Sequence, residues 1–145
     1  MKHSRLLFLS LLLLGADEPK KDKDLLQGEW VMQSLEVEGV PVPEEKLKGT
    51  TLLIQGDKYT VITKKSKREV SFKLDQTKNV KTIDMALSAG KEPEIGKGIY
   101  KLEGDVFTLC RALDSTTERP KEFTTAADSG VFKVIWKRKA KEPSK

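Results

Sequence analysis

The side chains able to do chemistry are unevenly stocked in this chain: 22 carboxylates and 27 lysines and arginines stand beside one histidine and one cysteine. The histidine, His3, lies between Lys2 and Arg5, just ahead of an apolar run from Leu6 to Leu14 and the small pair Gly15-Ala16. That is the charged, apolar, small-residue order of a signal peptide, with cleavage expected after Ala16. The run is about half of the roughly 20 residues that cross a bilayer, so no membrane span is expected after cleavage. What remains has no imidazole, which excludes a Ser-His-Asp triad, a Cys-His nucleophile and any His-ligated zinc or copper site. Cys110 has no partner for an internal disulfide. A reactive thiol would need nearby positive charge, yet Arg111, its neighbour on a strand, points to the opposite face. Cys110 therefore reads as a small, half-buried apolar residue.

The carboxylates allow a two-acid hydrolase in principle, but their spacing singles out no pair. Asp84, among the strand-like residues Thr82-Ile83-Asp84, is the one isolated suspect, and an exposed or turn-bonding aspartate is its simpler reading. Lys64-Lys65-Ser66-Lys67-Arg68 is the densest basic cluster. It has no interleaved aromatic to stack on bases, so it reads as a solvated hairpin loop and no nucleic-acid partner is expected. Calcium-loop spacing, a phosphate-cradling glycine motif and a nucleophile elbow are all missing, and the sequence calls for neither metal nor cofactor.

The elements that would position any of these residues read as strands. Residues 1–16 form the leader, and residues 17–24, all charged but for Pro19, cannot bury apolar surface and are expected to be a disordered spacer. Residues 139–145 are read as a similar basic tail. Between them, segments with period-two alternation are punctuated by Gly, Asp and Pro, the pattern of one antiparallel all-β domain over 25–138. In the first, from Glu29 to Glu38, strict alternation sets Trp30, Met32 and Ser34 on one face and Val31, Gln33, Leu35 and Val37 on the other. Glu44 to Lys48, after Pro43 and before Gly49, is the one helix expected. Gly56-Asp57 and Gly104-Asp105 mark tight hairpins, and Phe132, Val134 and Trp136 share a face of the last strand. Eight or nine short strands fit a closed up-and-down barrel or a two-sheet sandwich, and closure, which leaves no edges, favours the barrel.

A longer set of residues resembles a known family. It comprises Leu26-Gln27-Gly28-Glu29-Trp30, Gly39-Val40-Pro41-Val42-Pro43 with Glu44 to Gly49, and Gly56-Asp57-Lys58-Tyr59. Further on come Phe72 to Asp75 with Lys81 to Asp84, Gly98 to Leu102 with Gly104-Asp105, Leu109-Cys110, and Arg119-Pro120 with Phe123. In this order they resemble the lipocalin-like domains of small exported proteins abundant in planctomycete bacteria. Gln76 and Val80 stand where that family has prolines, and Arg111 where it has small or apolar residues. The resemblance implies a lipocalin-like barrel of about eight strands with one short helix after the first strand. It also gives Gly28, Trp30 and Arg138 a structural role, the indole packing across the closed end under the guanidinium, and it supplies no activity.

Such a barrel would be lined by Phe72, Leu74, Met85, Leu87, Tyr100, Leu102, Phe107 and Leu109. Eight strands enclose either a filled core or room for one small ligand. The functional expectation is an extracytoplasmic, non-enzymatic domain that binds a small apolar molecule or acts as an envelope interaction module. The alternative is a histidine-free carboxylate hydrolase at the barrel mouth.

Overall fold

The computed structural model describes residues 21–140, and in it the alternating segments become nine strands. They are β1 (Gly28–Val37), β2 (Val40–Pro41), β3 (Thr51–Gln55), β4 (Lys58–Ile62), β5 (Lys67–Asp75), β6 (Thr82–Ala86), β7 (Ile95–Glu103), β8 (Val106–Ala112) and β9 (Val131–Arg138). The expected leader, the first part of the expected spacer and the end of the expected tail lie outside the described residues. Every pairing is antiparallel: β1 bonds β3, each of β3 to β8 bonds the next, and β9 returns to β1. The result is an all-β, lipocalin-like up-and-down barrel of eight strands, with β2 a short hairpin partner on the far half of β1. Gln55↔Lys58 and Glu103↔Val106 close the two expected two-residue hairpins.

β1 departs from the strict alternation read in the sequence. Its register against β9 runs Trp30↔Arg138, Val31↔Lys137 and Met32↔Trp136, then shifts between Met32 and Ser34. Such a bulge inserts one extra residue and so exchanges the faces of everything beyond it. Leu35 therefore packs against the same core as Trp30 and Met32, rather than opposite to them.

The helices also differ from expectation. One, α2 (Glu44–Leu47), stands where the sequence placed it. A second, α1 (Asp22–Leu26), occupies the stretch read as disordered spacer. Charge alone is a poor guide there, because Asp22 is only 6% exposed and is satisfied on several sides. The Tyr100 hydroxyl donates to its Oδ2 at 2.8 Å, Lys81 Nζ lies 2.7 Å from the same oxygen, and its own N–H donates to Gln76 Oε1 at 2.8 Å. Asp22 and Asp24 also suit the positive end of the helix dipole. The tail is likewise ordered at its start, since Lys139 N–H donates to the Glu29 carbonyl.

Leu26 enters the barrel fully buried, and the Trp30 indole N–H donates to its carbonyl oxygen at 2.9 Å. The Arg138 guanidinium lies 4.2 Å from the centre of the Trp30 ring, a stacking worth about 0.5–2 kcal/mol. It also donates to the carbonyls of Gln27 and Leu25 and to Asp105. Gly28, at φ +116, passes beneath it, where a Cβ would lie 3.7 Å from Nη1. The three residues assigned to the plug thus form one unit, and α1 is its lid.

Trp30→Ala should lower stability by about 3–5 kcal/mol in a denaturant melt, as for other buried tryptophans. A loss well under 1 kcal/mol contradicts the plug. Asp22→Ala strands the Tyr100 hydroxyl and frees α1, so a loss of about 1–3 kcal/mol is expected. Faster amide exchange should then be confined to the residues around α1, and uniform exchange through the barrel counts against the lid.

Candidate ligand-binding cavity

Alternation along each strand sends every second side chain inward, and the aromatic ones gather toward the α1 end. Phe107 meets Trp30 at 5.8 Å and Tyr100 at 6.2 Å between ring centres. Tyr59 meets Phe72 at 6.5 Å and Trp136 at 6.4 Å, with the Trp136 N–H donating to the Tyr59 hydroxyl at 2.9 Å. Edge-on and tilted rings of this kind leave little free space. Above them, at the end remote from α1, the inward residues are mostly aliphatic, and a cavity of about 280 Å³ opens. Tyr59, Met85, Leu109, Val134 and Trp136 border it from the core, while Leu35, Val61, Val70, Leu87 and Phe132 wall it farther out. The barrel is filled in one half and hollow in the other.

The eight interior residues divide accordingly. Met85, Leu87 and Leu109 border the cavity. Phe72, Tyr100 and Phe107 are buried in the packed half, with Leu74 and Leu102 set against them. Leu35 and Val37 border the cavity because of the β1 bulge, which strict alternation could not foresee.

Arg111 is the interior residue that the sequence reading left off its list. Phe107 and Leu109 point inward, so two residues on, Arg111 does too, and its side chain borders the cavity with Arg68. The signal was present in the alternation already used for Cys110. The guanidinium lies 4.7 Å from the Phe132 ring centre, Nη1 donates to the Ala112 carbonyl at 2.7 Å, and buried Nε has no hydrogen-bond partner. Burial holds its pKa below the ordinary value, and the Arg68 charge adds to this. The facing strand makes room: a Cβ on Gly96 would come 2.3 Å from Arg111 Nη1, while one on Gly98 would first meet the Cys110 carbonyl oxygen at 2.8 Å. In-strand glycines at a close approach of this kind serve the neighbour's bulk.

The basic cluster is exposed as expected, but its last two residues, Lys67 and Arg68, belong to β5 rather than to the hairpin loop. β5 pairs with β6 only from Phe72↔Met85 to Asp75↔Thr82, so its first residues part from β6. A wider groove of about 680 Å³ lies at this parting, and Arg68, Val70 and Leu87 border both it and the cavity.

The remaining candidates lie outside the barrel wall. Asp84 pairs with Arg119 at 2.6 Å, and Arg119 also donates to the carbonyls of Ile83 and Gly98. Asp75 and Asp114 have carboxyls held below the usual range, each by a following threonine hydroxyl. Among the described residues no Asp or Glu borders the cavity. Cys110 is fully buried rather than half-buried, packed with Ile99, Val131 and Phe123 beneath the segment that joins β8 to β9. Burial pushes its thiol up to about 11. Among the described residues no His, Cys, Asp or Glu cluster is suited to a metal ion.

Comparison with protein-family models, with curated proteins and with solved structures returned no match to this chain.

The thiol carries its own test. Its folded pKa of about 11 exceeds that of a free cysteine, about 8.5, so ionisation favours unfolding. Its contribution to stability is intact below about pH 8.5 and declines as pH rises toward 11. Near pH 8 an aromatic disulfide reagent should modify Cys110 only as fast as the protein opens, and at once in denaturant. Rapid labelling of the folded chain contradicts the burial.

Proposed function

We propose that this chain is an exported, non-enzymatic lipocalin-like domain whose barrel binds one small apolar molecule. The observation that carries the reading is the aliphatic cavity of about 280 Å³ inside an otherwise filled barrel. Apolar concave sites with few polar groups are the usual form of small-molecule pockets, at roughly 300–1,000 Å³, so the volume here favours a small ligand. Recognition would come from burial of ligand carbon against Leu35, Val61, Leu87, Leu109 and Phe132, with no moving parts required. Export rests on the order Lys2, Arg5, Leu6 to Leu14, Gly15-Ala16, and membership of the planctomycete lipocalin-like family rests on the motifs from Leu26 to Phe123. The carboxylate hydrolase lacks comparable support, since it needs two facing carboxyls in a cleft and the cavity wall has none.

An uncharged naphthylamine dye that fluoresces only in apolar surroundings should brighten on mixing with the protein. Leu35→Trp, which places a large ring in the cavity and leaves the α1 end untouched, should abolish the signal while the denaturant midpoint changes little. A dye response that survives this substitution would place the binding elsewhere and sink the proposal. Native mass spectrometry of the chain purified from its own host should reveal a bound mass that denaturation releases.

A further inference from the structure

Arg111 is an unusual side chain to find in such a cavity. A guanidinium does not give up its proton under physiological conditions, so the wall carries a fixed positive charge surrounded by aliphatic carbon. Its Nε is buried without a hydrogen-bond partner, an arrangement native structures rarely leave unanswered. Among the described residues neither Arg111 nor Arg68 is in an ion pair. The two guanidiniums act on one another as like charges across the same space. The facing strand leaves room for the guanidinium at Gly96, where a Cβ would lie 2.3 Å from Nη1. Tyr59 adds a further donor: its hydroxyl accepts from Trp136 and feels the Arg111 charge, and among the described residues its own O–H reaches no acceptor.

Building on the ligand-binding reading, we infer that the ligand is a medium-chain amphiphile with one carboxylate, its head held by Arg111 and Tyr59 and its tail among the aliphatic residues. A carboxylate accepts several hydrogen bonds and matches a guanidinium in charge and planarity. It would pair with the guanidinium and relieve the repulsion between Arg111 and Arg68. A single negative charge is what the site compensates, because Arg68 stands at the border with the outer groove. At about 30 Å³ for each water-sized group, the cavity of about 280 Å³ holds a chain of about nine carbons.

Decanoate and 1-decanol, titrated separately against the naphthylamine dye below their aggregation limits, distinguish head from tail. Decanoate should bind the wild-type chain at least about tenfold more tightly, the effect of one charge-assisted hydrogen bond. Arg111→Met should remove that advantage and leave decanol binding within about threefold of wild type. Equal affinity for acid and alcohol, or an equal loss of both in R111M, overturns the inference while leaving the apolar cavity as a binding site. Displacement by neither overturns the ligand-binding reading and this inference with it. If R111M does not fold, the wild-type comparison decides alone, and Tyr59→Phe, which keeps the ring, should weaken decanoate more than decanol.

Discussion

The sheet closes only because β1 is bonded along both edges, to β3 over Gly28–Val31 and to β9 over most of its length. A strand serving two neighbours must satisfy two registers at once, and the shift between Met32 and Ser34 is where the conflict is resolved. Below that point β1 delivers Trp30 and Met32 to the interior. Beyond it β1 would send its apolar side chains to solvent if the period of two continued, and the extra residue turns Leu35 and Val37 back inside. One irregularity in one strand therefore decides that the remote half of the barrel has an apolar wall at all.

That wall divides the molecule by chemistry. Toward α1 the interior is built from rings in edge contact, and its buried polar groups are partnered: Trp30 with Leu26, Tyr100 with Asp22, Trp136 with Tyr59. Satisfied hydrogen bonds in a low-dielectric interior fix one arrangement, since any displacement strands a donor. Away from α1 the filling is mostly aliphatic and incomplete, and the one buried side-chain polar atom without a partner among the described residues is found there. Rigidity and vacancy are thus placed at opposite ends of the same eight strands.

Much of this was legible in the sequence, because the strands and hairpin positions follow from local patterns, while the roles of Gly28, Trp30 and Arg138 came from the resemblance. Gly56-Asp57 and Gly104-Asp105 specify their turns by themselves, and Phe132, Val134 and Trp136 share a face as read. What escaped depends on partners far away in the chain. The β1 bulge is imposed by register against β9. The ordering of Asp22 depends on Tyr100, Lys81 and Gln76, whose proximity no local composition reveals. Arg111 is a different case: the alternation that set Phe107 and Leu109 inside placed it inside as well, and the list of interior residues stopped at Leu109. A charged residue at an inward position was the informative violation of the pattern.

The glycines of β7 limit how this chain could change. The two positions are held open by different things: a Cβ at Gly96 would lie 2.3 Å from Arg111 Nη1, whereas one at Gly98 would lie 2.8 Å from the Cys110 carbonyl oxygen, a backbone atom present whatever residue stands at 111. Replacing Arg111 by a small residue therefore frees position 96 and leaves position 98 closed. The cavity wall can be remodelled through one of its two glycines, and the other belongs to the barrel itself.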